Sequence, residues 1–427
     1  MPSGRSSVRT CVDDDGSPAA IRRGEGRMRI VSISPFMPYS GIPHAGGELF
    51  RRHAEIVSQA HDLVVVSPAR PSNEVALTKE PAATYGRILV TPRTRAGTAR
   101  PRVRRSLVSR AVSFLTMGPF WRGIRTDEAT LAELRRADQI ELQWFDAVVL
   151  APRLRRLVPG TPLVGVFHDV VSQGHRRRVF GRRVALRHRL LSLVRLLFAV
   201  PLERRALRAL DTAVVLSEKD RALLARRGGG ARIVVVPIPL DDADMPPDPR
   251  QQPPAGAEVL FVGALWRAEN EDAARWLLAD IWPTVRSAVP DARLVLAGAE
   301  PTAGLLVEAG RRESVEVTGY VESLSPYYRR AAVVVVPVRL GAGVKVKAVA
   351  ALLWGLPVVT TTTGAEGVTG PDVFFAVEDD AARFADAVVR ALTDPAAAAE
   401  AGARAHRWSH GIYSASSYAG ALDRIYG

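Results

Sequence analysis

The tightest constraint on this chain is a rhythm. Seven short runs rich in Val, Ile and Leu lie at 28–34, 62–67, 87–91, 140–144, 162–167, 212–216 and 233–236. Six more follow at 259–263, 292–298, 315–319, 332–338, 356–362 and 373–377. Most are apolar at nearly every position, not at every second one. A strand of that kind is buried on both faces, which a parallel sheet with helices on each side provides. The spacers agree, because segments such as 48–59 and 202–210 carry apolar residues at helical spacing. Repeated strand–helix units predict an α/β chain of doubly wound sheets.

A chain of 427 residues is too long for one such sheet, and about two domains is the expectation. Residues 239–257 (PLDDADMPPDPRQQPPAGA) are rich in Pro and Asp and nearly free of strand or helix pattern, so they read as the linker. The division is then a disordered leader at 1–27, an N-terminal domain at 28–238, the linker, and a C-terminal domain at 258–427. Met28, opening MRIVSIS, is an alternative start. The last helical segment, 395–426, is placed to pack back across the cleft. In doubly wound sheets ligands bind beyond the carboxyl ends of the strands, so two such edges facing each other define the place to look.

Composition closes other routes. Hydrophobic residues at 47% and charged residues at 24% exclude fibrous and disordered classes. Cys11 stands alone, so neither an intrachain disulfide nor a cysteine zinc cluster is available. The leader has no apolar stretch of signal-peptide length. The densest apolar run, 190–202, is interrupted by Arg195 and Pro201 and falls short of the about 18–20 residues that cross a bilayer. A cytoplasmic protein, with peripheral membrane contact at most, is expected. No HExxH, Walker loop or GxSxG occurs, and the acidic clusters Asp13–Asp15 and Asp241, Asp242, Asp244 sit in leader and linker, away from any strand end.

Several strand ends carry glycine: Gly263, Gly298 and Gly319. The densest cluster is LGAGVKVK at 340–347, which follows an apolar strand and opens a helix. Gly341 and Gly343 let backbone N–H groups approach a ligand closely, and Lys345 and Lys347 stand beside them, an arrangement that fits a diphosphate. A glycine-rich helix cap with solvated lysines is the plainer alternative. In the first half, Gly46 and Gly47 precede a helix, one strand ends at Glu141, Gln143 and Trp144, and the next at His168 and Asp169.

VLFVGALWRAENEDAARWLLADIWPTVRSAVPDARLVLAGAEP, with VEVTGYVESLSPYYRRAAVVVVPVRLGAGVKVKAVAALLWGLPVVTTTTGAEGV, resembles the donor-binding domain of glycosyltransferase family 4, the group 1 glycosyltransferases. The first half resembles the acceptor domain of that family through MRIVSISPFMP, the strand ends QW and FHD, and ERRALRALDTAVVLSEKDRALL. Together these cover 28–425. The resemblance implies a GT-B fold, two Rossmann-like doubly wound domains facing across a cleft. It also implies retaining transfer of a hexose-like sugar from a nucleotide-sugar donor to an acceptor hydroxyl, with no metal or other cofactor. Lys345, Lys347 and the loop amides would stabilise the departing diphosphate. His168 resembles the family histidine that contacts the transferred sugar, with an ordinary structural histidine as the alternative. Arg267, just after Gly263, falls where members place an arginine near the donor phosphates. Gly319 and Tyr320 occupy the loop that lies against the nucleobase, where Tyr320 can stack. Gly46 and Gly47 would bring amides toward phosphates or acceptor, or simply cap the helix. Glu141, Gln143 and Trp144 are candidates for acceptor contact. Asn270 reads as the cap of a helix beginning at Glu271.

Two positions depart from the family. Members carry two glutamates eight positions apart around the glycine loop, the second holding the donor ribose, and here these positions are Ala342 and Ala350. Glu366 in TGAEGV is a candidate replacement on the same rim, or a loop residue capping the next turn. The alternative this raises is a GT-B-shaped binding or scaffold subunit with impaired catalysis.

The net charge of +14 is concentrated in the first half. No acidic residue occurs between Glu80 and Asp127 or between Asp169 and Glu203, and both windows are crowded with arginine. Arginines among apolar residues suit an anionic membrane surface and a lipid-linked acceptor, although a small-molecule acceptor remains open and a buried helix with arginine rims is the alternative. Nucleic acid is not expected as a partner, because interleaved aromatics and known binding motifs are missing.

Overall fold

The computed structural model describes residues 26–40, 42, 45–79, 86–91, 117–181, 186–240, 245 and 256–426. The proposed leader up to 25, most of the linker and the centre of the first arginine window lie outside the described residues.

Every predicted strand run contributes a strand. The first sheet contains β1 Arg29–Ile33, β2 Asp62–Pro68, β3 Arg87–Thr91, β4 Gln139–Gln143, β5 Leu163–Phe167, β6 Thr212–Val215 and β7 Arg232–Val235, in the order β3-β2-β1-β4-β5-β6-β7. The second contains β8 Glu258–Val262, β9 Arg293–Ala297, β10 Val315–Gly319, β11 Val333–Val336, β12 Val358–Thr360 and β13 Ala376–Val377, in the order β10-β9-β8-β11-β12-β13. All pairings are parallel. Helices cover both faces, as the near-continuous apolar strands require. In each sheet the chain works outward in one direction, returns to the middle, and works outward in the other. The reversals fall between β1 and β4 and between β8 and β11, and such switch points open a crevice at the strands' carboxyl ends.

The cores are built differently. The second sheet and its helices share one continuous cluster, from Val259 through Val336 and Leu353 to Phe384 and Tyr413. The first sheet separates two: Val31, Ile33, Val64 and Val66 face one way, while Ile30, Leu63 and Val65 face the other. This is the two-residue alternation of a strand. The second face is closed by Phe50, Ala54 and Val57 of the helix Ala45–Ala60 and by Tyr418, Ala421 and Leu422 of the helix Ala415–Tyr426.

The chain's end therefore divides. The helix Pro395–Tyr413 stays on the second domain, where a Cβ at Gly402 would lie 2.2 Å from the Gly355 carbonyl oxygen. The final helix packs on the first sheet: the Tyr418 hydroxyl lies 2.8 Å from His53 Nδ1, and Arg232 donates to the Arg424 carbonyl at 2.5 Å. Assigning all of 258–427 to the second domain is thus corrected for the last helix. Sequence order hid this, because the partners lie on strands and helices hundreds of residues earlier. Among the described residues no helix is long and apolar enough to cross a membrane.

Candidate functional site

At the switch point of the first sheet, β4 ends in Gln143 and Trp144, and β5 runs into His168 and Asp169. Trp144 takes φ +63, a left-handed conformation costly for a bulky side chain and held here by packing. Its indole lies edge-on to Phe36 and Phe50, with centroids 5.3 and 5.5 Å away, and stacks on the His168 ring at 4.2 Å with 5° between planes. Gly46 makes room for it, since a Cβ there would sit 3.2 Å from the indole nitrogen. The helix begins at Ala45, so Gly46 and Gly47 occupy its first turn and do not precede it.

His168 is also fixed from below. Gln143 Oε1 lies 3.3 Å from His168 Nε2, and the Gln143 amide donates to Glu141 Oε2 at 3.3 Å. The second contact sets the amide's direction, so Gln143 offers its oxygen and the histidine proton resides on Nε2. Glu141 is buried, paired with His53 at 2.9 Å and accepting from the Tyr426 hydroxyl. Burial opposes its ionisation, but the His53 ring and hydrogen bonds from His53 and Tyr426 hold its carboxyl below the ordinary range. Glu141 is therefore corrected from acceptor contact to buried anchor, the root of a chain through Gln143 to His168. Its i, i+2 spacing from Gln143 puts both on one face of β4, a signal the sequence contained. Trp144 and Gln143 stand in the cleft wall as supports of His168.

At the second switch point, β8 ends at Gly263 and β11 leads into the glycine–lysine loop. Gly341 and Gly343 adopt φ +100 and +72, conformations that favour glycine. The two lysines differ. Lys347 is wedged inward: Nζ donates to Asn270 Oδ1 at 2.7 Å and lies 4.4 Å from the Phe261 ring centroid. A Cβ on Gly263 would meet that amine at 2.5 Å. Burial lowers its pKa to about 7. Lys345 is the N-cap residue of the helix Val346–Leu353 and donates to the Gly343 and Ala342 carbonyls at 2.6 and 3.3 Å. Burial, then the nearby Arg177 and Lys219, lower its pKa to about 8. Asn270 is not the cap expected of it. The helix starts at Ala268 with Arg267 at its N-cap, and Asn270 ties Lys347 to the Ala264 carbonyl from inside the first turn. Arg267 pairs with Glu269 at 2.7 Å.

The two edges meet. A Cβ on Gly343 would lie 3.0 Å from the Asp169 Cβ and 3.2 Å from the His168 carbonyl oxygen, and one on Gly174 would lie 3.7 Å from Ala342. Burial, reinforced by Asp220, lifts the Asp169 carboxyl to about 6. Glu366 does not face an open ribose position. It is 8% exposed and held by the first domain: Arg177 grips both carboxylate oxygens at 2.5 Å, Gln173 donates at 3.1 Å, and Lys219 pairs with it. Lys345 Nζ is 3.8 Å away. Sequence reasoning missed Lys219 and the specific role of Arg177. Lys219 follows Ser217, which caps the helix after β6, so reading every strand end would have found it.

Gly319 closes β10 at φ +70, with β9 and β8 between it and the strand that leads into the loop, and Tyr320 beyond it is 63% exposed. Burial and then Tyr320 raise the pKa of the Tyr39 phenol. Ala350 sits half-buried on the helix Val346–Leu353 with no carboxylate of its own to offer.

Comparison with known proteins locates this architecture. Solved structures similar to it span nearly the whole chain. Sucrose-phosphate synthase from Thermosynechococcus elongatus is 18% identical, with 94% of this chain and 98% of that one covered and a TM-score of 0.70. Anabaena HepE in complex with UDP and glucose is 14% identical, with 93% and 99% covered and a TM-score of 0.66. α,α-Trehalose 6-phosphate synthase from Burkholderia multivorans is 15% identical, with 94% and 98% covered and a TM-score of 0.59. The fold is that of the GT-B glycosyltransferases. Residues 256–394, the segment bearing β8–β13 and the glycine–lysine loop, match the family model described as glycosyl transferases group 1. No curated protein matches the sequence.

Proposed function

We propose that the protein is a retaining glycosyltransferase of family 4. It moves a hexose-like sugar from a nucleotide-sugar donor to an acceptor hydroxyl, in the making of a polysaccharide, a glycolipid or a glycosylated metabolite. The observation that carries this reading is the apposition, at the two switch points, of the glycine–lysine loop and the His168–Asp169 strand end. The match of 256–394 to group 1 glycosyl transferases and the UDP and UDP-glucose complexes of HepE support it.

The roles follow from placement. Negative charge grows on the nucleoside diphosphate as it departs, and Lys345 with the loop amides meets that charge, while Lys347 braces the loop against β8. Gly263 and Arg267 border the same phosphates, and Tyr320 stacks on the base. His168, its tautomer set by Gln143, presents to the transferred sugar. Closure of the cleft excludes water and aligns donor with acceptor. Charge compensation needs no metal in this scheme.

The acceptor is lipid-linked or a small molecule reached at the inner face of a membrane, where the cytoplasmic protein docks peripherally. The helix Leu186–Leu207 exposes Leu186, Leu190, Leu193 and Leu197, residues that fall on one stripe at about 100° per residue, with Phe180 exposed nearby. Arg187, Arg204 and Arg205 are exposed on the same helix. Its one acid, Glu203, is buried against Ser172 and Arg227. Apolar side chains among cations, with no exposed carboxylate, fit anionic headgroups.

Hydrolysis and transfer measured across a panel of sugar nucleotides, with calorimetric binding of UDP and GDP, test the reading. Binding with turnover is expected. Binding without turnover supports the scaffold alternative that Ala342 and Ala350 raise, and absence of both overturns the donor site. Flotation with anionic vesicles at low salt tests the docking helix, and a protein that stays in the soluble fraction refutes it.

A further inference from the structure

Among the described residues, the ion pairs that cross between the domains converge on one carboxylate. Glu366 belongs to the loop after β12 of the second domain. Three of its partners, Arg177, Gln173 and Lys219, belong to the first, and the fourth, Lys345, belongs to the glycine–lysine loop. Arg177 does more than pair. One nitrogen, Nη1, donates both to Glu366 Oε2 at 2.5 Å and to the Gly341 carbonyl oxygen at 2.7 Å, while Nη2 reaches Glu366 Oε1 at 2.5 Å. A planar guanidinium serves two acceptors on two separate loops of the opposite domain at fixed angles, which a lysine ammonium would do without that geometry.

Around this fork the surfaces are cut to fit. Glycine stands on both sides of the contact: Gly174 opposite Ala342, and Gly343 opposite the Asp169 Cβ and the His168 carbonyl. Gly367, next to Glu366, takes φ +84, and a Cβ there would lie 3.2 Å from the Ser217 Cβ. Side chains at Gly343 and Gly367 would crowd the opposite domain, whereas a Cβ at Gly174 would make ordinary contact. The fork, the carboxylate and the glycines together fix the spacing between the His168 edge and the loop that carries Lys345.

We propose that Arg177 is a positioning residue for glycosyl transfer: from the acceptor domain it clamps the donor loop through Gly341 and Glu366, setting Lys345 opposite His168 in the closed cleft. The inference rests on the transferase reading for its link to turnover, but the clamp itself is a property of the loop. Arg177 acts through the loop and touches no reacting atom. Its removal therefore loosens the alignment of bound donor and acceptor more than it weakens the nucleotide's own contacts.

The test uses the full chain. Amide exchange at 341–345 in Arg177→Met is expected to be faster than in the unmodified protein by about 10-fold, as for a loop released to local opening. With whichever donor the panel identifies, kcat is expected to fall by about 10-fold or more while the affinity for UDP or GDP changes by about 2-fold or less. Arg177→Lys should fall between the two. Glu366→Gln should reproduce the loss, and the double variant Arg177→Met/Glu366→Gln should be no worse than the poorer single, because the pair acts as one unit. Unchanged exchange at 341–345 overturns the clamp even if no donor is turned over. Unchanged kcat with faster exchange, or additive losses in the double variant, overturns its role in transfer. Failure of the unmodified protein to use any donor overturns the transferase reading alone.

Discussion

The two halves share a topology and differ in what completes them. The second builds its sheet, its glycine–lysine loop and nearly all of one continuous core from β8 through the helix Pro395–Tyr413, with only Leu49, Ile238 and Leu240 joining that core from earlier in the chain. The first closes one face only when the final helix returns, bringing Tyr418, Ala421 and Leu422 onto the sheet and the Tyr426 hydroxyl onto Glu141. The second half is thus specified mostly locally. The first half depends on contacts across more than half of the chain, and His168 stands at the end of that dependence, through Gln143 and Glu141.

Removing the last helix should break the comparison most severely. Deleting 415–427 strips an apolar cover and leaves the buried Glu141–His53 pair without its tyrosine partners, a loss of about 3–5 kcal/mol or more. Thermal melting should show the first domain failing well below the second, and a single unshifted transition would contradict the asymmetry. Lys345→Ala acts on the second half instead. Turnover should fall at least about 10-fold, about 1.4 kcal/mol, with the melting temperature little changed, and an unchanged rate would reject its phosphate role.

The smallest effect separates the two lysines. Burial disfavours their charged forms, so in the free protein Lys345 loses its proton near 8 and Lys347 near 7. A diphosphate binds the charged amine, so nucleotide affinity should fall as pH rises and binding should take up a proton. Titrating through a single group at 8 weakens affinity by about 4-fold between pH 7 and 8.5. A calorimetric midpoint near 8 assigns the charge to Lys345 and one near 7 to Lys347. Flat affinity across the range would show that neither amine supplies it.

Much of the fold was legible because apolar runs buried on both faces leave few alternatives. Each run became a parallel strand, and the glycines at Gly263, Gly298 and Gly319 did mark strand ends. The site was legible only in part. His168, Lys345 and Lys347 gather at the switch points, as the strand ends suggested. Glu141 and Glu366 each had a residue type suited to ligand contact, yet both are occupied by partners from elsewhere in the chain. Asn270 matched a capping pattern and became a brace for Lys347. These readings failed where a polar side chain's partner lay far away in sequence, beyond the reach of any local pattern.

The sequence by itself determined the parallel sheets, the two-domain division and the cationic glycine loop, because burial periodicity and backbone freedom are local properties of residues. Only the tertiary structure decided that the final helix completes the first domain, that Glu141 anchors His168, and that Arg177 grips Glu366 and Gly341. Those facts depend on which distant side chains meet, and on whether a buried charge finds its partner there.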